Sequence, residues 1–311
     1  MKNIINETLL DPSLKSIYYK GLSDKLSNKI SQIKLIVSDL DGTFLSSNGE
    51  LSHENISSVK SLYNKNINFT LASGRSDMMC ASYIKDCNIT LPTISSNGAL
   101  IRNINSKYVI SKTIIKPSIA INIMDFCRDN NLDYMSYNLD KIFFTKGSIR
   151  IEKFKSYNKI AIKNHTNPIA LNFYDTDNTT NHTHKVIADE GILKILLFTK
   201  SKKDLDITIE FLNNIPDISF VLSEKNALDI SAKGTSKGEA LKILCSHLNI
   251  PLENTCVLGD YTNDLSMMKL AGLSFAMKNS PKHVQEVATF ITDSNDNFGV
   301  AKALDFILSK K

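Results

Sequence analysis

The sequence predicts an α/β fold with a parallel sheet, interrupted by a second, inserted α/β unit. Three observations lead there. Short β-branched runs alternate with helix-period segments over residues 34–95, as they do in βαβ units. Two such runs, far apart in the chain, each end in an acidic turn. The pattern changes near Lys112 and returns about a hundred residues later, and 311 residues exceed what one hydrophobic core organises.

The elements follow in order. A strand over 34–38, a helix over 52–64, a strand over 67–72, a helix over 76–86 and a strand over 92–95 make the first alternation. Hairpin-like segments at 99–102 and 108–110 follow. From about Lys112 come a helix over 118–130, strands over 134–137 and 141–145, and a helix over 149–157. A strand over 193–199, a helix over 203–213 and a strand over 218–223 complete the inserted unit. The first unit resumes with a strand over 227–231 and closes with a helix over 300–308. The resulting division is an N-terminal extension at 1–32, core at 33–112, insertion at 113–223 and core again at 224–311. Residues 1–32 carry partly helical spacing (Leu9, Leu10, Leu14, Ile17, Tyr18) and read as an added helix. The polar, Asn/Thr-rich stretch 175–190, with His182 and His184, reads as a loop whose histidines are solvated.

Composition narrows the function. Hydrophobic content of 42% with 22% charged residues is that of an ordinary globular protein. No apolar stretch approaches membrane-spanning length and no signal-like segment opens the chain, so a cytoplasmic protein without a membrane partner is expected. Five cysteines, an odd number without metal-ligand spacing, read as reduced thiols. A net charge of +5 without a basic block interleaved with aromatics argues against nucleic acid.

The chemistry sits at the two acidic turns. In Lys34-Leu-Ile-Val-Ser-Asp39-Leu-Asp41-Gly42-Thr43, a buried strand runs into Asp-Gly. Strand alternation puts Asp39 and Asp41 on one side. Two such carboxylates repel unless a cation or a shared proton intervenes. A plain turn is the competing reading, since Asp-Gly is turn vocabulary. Gly259-Asp260-Tyr261-Thr262-Asn263-Asp264 repeats the pattern. Asn263 and Asp264 can cap the following helix, whereas Asp260 precedes it. Strand ends of a parallel sheet open on one edge, where three carboxylates make a hard-oxygen site suited to Mg²⁺.

Asp39-Leu-Asp41-Gly-Thr, Ser73-Gly74-Arg75, Lys237-Gly238 and Gly259-Asp260-x-x-Asn263-Asp264, with Ser96-Asn97-Gly98-Ala99 and Met277-Lys-Asn279, stand in the order of the haloacid dehalogenase superfamily. From about Ile33 onward the chain resembles its Cof-type, class IIB capped phosphatases. The resemblance implies a Rossmann-like core with an inserted C2-type α/β cap and a Mg²⁺-dependent phosphomonoesterase. Asp39 would be the nucleophile and Asp41 the acid/base. Ser73, Gly74, Arg75, Asn97, Lys237 and Asn279 would face phosphate or substrate. Asp39, Asp260 and the backbone carbonyl of Asp41 would hold the metal, with Asn263 and Asp264 orienting them. Each has a plainer alternative: Ser73 and Asn279 as helix caps, Arg75 in an ion pair, Asn97 in a turn, and Lys233 in place of Lys237. Tyr261 departs from the small residue common at its position. The implied substrate is a small phosphometabolite, sugar phosphates first, with oligomeric state open. A phosphomutase with the same nucleophile and a non-catalytic phosphometabolite sensor are the rivals. A P-type ATPase is excluded because it lacks an acid/base at the position of Asp41 and needs membrane helices.

Overall fold

The structure is a computed structural model that describes residues 24–174, 181–224 and 226–310. In chain order, α1 (Asp24–Ser31) and β1 (Leu35–Ser38) lead to α2 (His53–Tyr63), β2 (Asn68–Leu71), α3 (Ala81–Asp86) and β3 (Thr93–Ser95). Strands β4 (Leu100–Asn103) and β5 (Tyr108–Lys112) precede α4 (Pro117–Asp129), β6 (Asp133–Tyr137), β7 (Ile142–Phe144), α5 (Ile151–Lys163) and β8 (Leu171–Phe173). Next come α6 (Asn181–Asp189), β9 (Lys194–Phe198), α7 (Lys202–Asn213), β10 (Ile218–Glu224) and β11 (Ala227–Ala232). The chain closes with α8 (Lys237–Leu248), β12 (Thr255–Gly259), α9 (Leu265–Met268), β13 (Leu273–Ala276), α10 (Lys282–Gln285), β14 (Phe290–Ile291) and α11 (Gly299–Leu308). Serines begin three of these helices: Ser52, Ser201 and Ser236 accept the N–H groups of Asn55, Asp204 and Glu239.

Contacts divide the chain into two compact units. The first comprises residues through Gly74, Tyr83–Ile110 and Ser236 onward; the second comprises Arg75–Ser82 and Ser111–Thr235.

In the first unit a parallel sheet runs in the order β14-β13-β12-β1-β2. Its strands are fully buried runs such as Leu35–Ser38 and Thr255–Gly259, as a sheet covered on both faces demands. Leu35, Val37, Ala72, Ile94 and Val257 pack on Ala240, Leu241 and Leu244 of α8 and on Met267 and Met268 of α9. From β1 the chain goes to β2 on one side, while β12 lies on the other. The end of β1 is therefore a topological switch point, where open α/β sheets leave a crevice.

In the second unit a mixed sheet runs β10-β11-β9-β6-β7-β8. One face packs Ile195, Leu197 and Ile230 against Ile123 and Met124 of α4, Ile187 and Ala188 of α6 and Leu212 of α7. The other packs Met135, Phe144, Leu196 and Phe198 against Phe154 of α5 and Met79.

Three expectations need correction. The strand at 227–231 does not resume the core: β11 lies between β10 and β9 in the second sheet, because its buried alternation fits either sheet. Residues 181–189 form α6 rather than a loop, and the unit's edge strand β8 carries no strong apolar pattern to announce it. His184 is not solvated: it is 5% exposed, and its Nδ1 meets Asp125 Oδ1 at 2.7 Å while its Nε2 meets the Tyr134 hydroxyl at 2.7 Å. The remainder of that stretch, 175–180, and the helix expected from 1–32 lie outside the described residues apart from α1, whose Ile30 is buried. The described cysteines are free and buried. No helix of the described residues is long and apolar enough to cross a membrane.

Phe144 is fully buried and meets Phe154 edge to face at 4.9 Å. Phe144→Ala should lower unfolding free energy by about 3–5 kcal/mol, read as a lower urea midpoint at unchanged slope. A loss below about 1 kcal/mol would mean that this face is not close-packed.

Candidate active site

Strand β1 ends at Ser38, and the chain enters a π-type turn, Leu40–Phe44, closed by the Leu45 N–H donating to the Leu40 carbonyl at 2.9 Å. This corrects the strand-alternation argument for the two carboxylates. Asp39 is buried just past the strand, whereas Asp41 is exposed on the turn. Gly42 permits that turn: its φ is +74°, and a Cβ there would run into the Asp260 carboxylate. Only glycine fits between the two acidic turns.

The Asp39 neighbourhood is electrostatic. Lys237, the first residue of α8, has a fully buried side chain. Its ammonium donates to Asp39 Oδ1 at 2.5 Å and to Asp264 Oδ1 at 2.7 Å. Asp264 Oδ2 accepts the backbone N–H groups of Asp260 at 3.0 Å and Tyr261 at 3.1 Å, so both of its oxygens are committed. Asp260, just beyond β12, accepts the Thr43 hydroxyl at 3.1 Å.

Asp39, Asp260 and Asp264 each place an oxygen within 4.8 Å of the others. Fully ionised, the group with Lys237 would carry three negative charges and one positive. Burial pushes Asp39 well above the carboxylate range; Lys237 opposes this, while Asp264 and Asp260 reinforce it. Burial, and then Asp264, raise Asp260 to about 6. Burial alone would lower Lys237, but the attraction of Asp264 and Asp39 outweighs it and holds the ammonium protonated.

Two uncompensated charges on hard oxygen donors fit a divalent cation of the Mg²⁺ type. Because the Asp264 oxygens are occupied, Asp39 and Asp260 are the side chains left to ligate it.

A second cluster surrounds Ser73, which is fully buried at the end of β2. Its N–H donates to the Ile94 carbonyl and its carbonyl accepts the Asn97 N–H. Asn97 Oδ1 accepts from the Asn263 amide at 3.0 Å and lies against Gly74. Gly98, at φ +101°, leaves no room for a Cβ beside the Ser236 carbonyl, which brings the loop after β3 against the start of α8.

The other expected residues bond as follows. Asn279 spends its amide on the Gly42 carbonyl at 2.8 Å rather than on a helix cap. Arg75 belongs to the second unit, where it donates to the Tyr157 hydroxyl at 2.8 Å over the Tyr157 ring. Lys233 is exposed in that unit, so Lys237 is the lysine of the acidic group. Tyr261 is 48% exposed beside Asp260. Sequence reasoning missed Thr43 as a partner of Asp260, although it stands in the quoted Asp-Gly-Thr run.

A family model described as haloacid dehalogenase-like hydrolase matches residues 36–304. Phosphatase YwpJ of Bacillus subtilis is 30% identical over 286 residues, which span 89% of this chain and 100% of that protein. The 5-amino-6-(5-phospho-D-ribitylamino)uracil phosphatase YwtE of the same organism is 28% identical over 285 residues, spanning 89% and 99%. A solved haloacid dehalogenase-like hydrolase from Bacteroides thetaiotaomicron matches with a TM-score of 0.74 at 26% identity, covering 88% of this chain and 99% of that one.

Asp260 carries a pH signature. Its folded value of about 6 lies above the ordinary 3.8, so without divalent cations the folded state binds the extra proton between those values. Stability then falls as pH rises from 3.8 to 6 and stays reduced above. Asp260→Asn should stabilise the metal-free protein at pH 8 by about 2–3 kcal/mol, with no gain at pH 3.5, as thermal unfolding in EDTA would report. An equal effect at both pH values would contradict the charge argument.

Proposed function

The chain belongs to the haloacid dehalogenase-like hydrolase family as a phosphatase, and on that premise we propose a Mg²⁺-dependent phosphomonoesterase working through an aspartyl-phosphate. The observation that carries the proposal is Asp39, buried at the switch-point strand end, bonded to Lys237 and beside Asp260.

Asp39 attacks phosphorus, and the P–O bond to the leaving group breaks. Asp41 gives its proton to the departing alkoxide. It then takes one from the water that attacks the aspartyl-phosphate, releasing inorganic phosphate and restoring Asp39. Phosphoryl transfer needs positioning and charge stabilisation above all. Lys237 supplies part of both, holding the Asp39 carboxylate in a fixed orientation with a charge that stays on. Ser73, Gly74 and Asn97, which the fold gathers beside one another, are proposed to receive the phosphoryl oxygens. Asp39, Asp260 and the Asp41 carbonyl would hold Mg²⁺, oriented by Asn263 and Asp264. When bound, the cation supplies charge neutralisation at the phosphoryl oxygens and permits Asp39 to be ionised next to Asp260.

For the substrate we propose a small phosphometabolite, a phosphorylated sugar or sugar alcohol foremost. The name of the relative YwtE specifies a phosphate on a ribityl chain, a leaving group of that kind.

Phosphate release from a panel of sugar and sugar-alcohol phosphates, with Mg²⁺ or EDTA, tests the reading. Asp39→Asn should lower turnover by about a thousandfold or more, and EDTA should abolish the wild-type activity. Near-full activity in the variant would refute the nucleophile assignment. Transfer of phosphate back to the sugar without release would make the enzyme a mutase.

A further inference from the structure

The turn that carries Asp41 is closed on itself by the Leu45 N–H on the Leu40 carbonyl and is held from outside as well. Asp41 is exposed with ψ 125°, and Gly42 follows in the left-handed region. Three carbonyls of the turn and the residue after it accept side-chain amides from asparagines on other elements, two of them more than 200 positions away. Asn279 Nδ2 donates to the Gly42 carbonyl at 2.8 Å, Asn55 Nδ2 to the Phe44 carbonyl at 2.8 Å and Asn295 Nδ2 to the Leu45 carbonyl at 3.0 Å.

These amides are themselves held. The Asn295 N–H donates to Asn279 Oδ1 at 3.1 Å, which fixes the Asn279 amide with its nitrogen toward Gly42. The Ala301 N–H does the same for Asn55 Oδ1 at 2.9 Å. Beyond the turn, the Ser47 N–H and hydroxyl donate to the Asp296 carboxylate at 2.7 Å and 2.6 Å. Asn55 is 2% exposed and Asn295 is 7% exposed, so neither amide can exchange its protein partner for bulk water without opening the structure.

We propose that Asn295, with Asn279 and Asn55, is a positioning residue for the Asp41 acid/base, acting through the backbone of the turn and not on substrate. This rests on the phosphatase reading above. The consequence is specific to the step Asp41 serves. Protonation of the leaving alkoxide demands a correctly placed acid, whereas expulsion of p-nitrophenolate, already a stable anion, does not. Loss of the clasp should therefore penalise alkyl esters selectively.

The test compares kcat/KM, which reports the steps through phosphoryl transfer, for glycerol phosphate and p-nitrophenyl phosphate in wild type, Asn295→Ala and Asn279→Ala. The second variant alters an exposed side chain and serves if the first does not fold. We expect kcat/KM for glycerol phosphate to drop about 10- to 100-fold, within the worth of a general acid, and that for p-nitrophenyl phosphate to drop less than about threefold. Hydrogen–deuterium exchange of the peptide spanning residues 40–47 should be faster in each variant. Equal losses on the two esters would overturn the proposal, as would unchanged kinetics or unchanged exchange. Should wild type hydrolyse neither ester, the phosphatase reading fails, and exchange still decides whether the asparagines hold the turn.

Discussion

A single buried ammonium organises the first unit. Lys237 bonds Asp39 and Asp264, and Asp264 in turn pins the backbone of Asp260 and Tyr261. One cation thus sets the geometry of a carboxylate after β1 and of the turn after β12. Buried charges of this kind are costly unless each is satisfied, and removing one partner leaves the others uncompensated. The arrangement is poor as a source of stability and good as a fixture, because the group has one low-energy geometry. Gly98 completes it by letting the loop after β3 come against the Ser236 carbonyl, at the very start of the helix that delivers Lys237.

The turn that bears Asp41 obeys a different logic. Around Asp39 the forces are charge–charge and short-ranged. Around Asp41 they are neutral amide-to-carbonyl bonds reaching across the fold. The division fits the demands on the two carboxylates. In the roles proposed above, Asp39 as nucleophile needs its charge balanced, and Asp41 as acid/base needs solvent access with a constrained backbone. Neutral asparagines constrain the backbone without adding a charge that would bias the proton.

Much of this was legible in the residues. The β-branched strand before Asp39 and the two Asp-bearing turns announced themselves locally, and the observed bounds of β1 lie within a residue of expectation. The placement of β11 was not legible, since an alternating buried strand does not name its sheet. Helix α6 is polar in sequence and is secured by tertiary partners, the bonds of His184 and the packing of Ile187 and Ala188. Strand alternation failed at Asp41 because the chain had already left the strand. Asn279 and Asn295 reach carbonyls 237 and 250 positions away in the chain, and a pattern read in short windows cannot contain that.

The order of strands along the chain also governs when the site can come into being during synthesis. β1 emerges early, yet one of its two sheet neighbours, β12, follows only after the entire second unit. Lys237 reaches Asp39 across 198 positions of sequence. A growing chain that has exposed Asp39 and Asp41 therefore has neither the ammonium that bonds Asp39 nor the turn that bears Asp260. The second unit builds its sheet from one nearly continuous stretch and has the shorter loops to close, which favours its earlier folding. On the function proposed above, topology would hold a nascent chain inactive until Lys237 has been made.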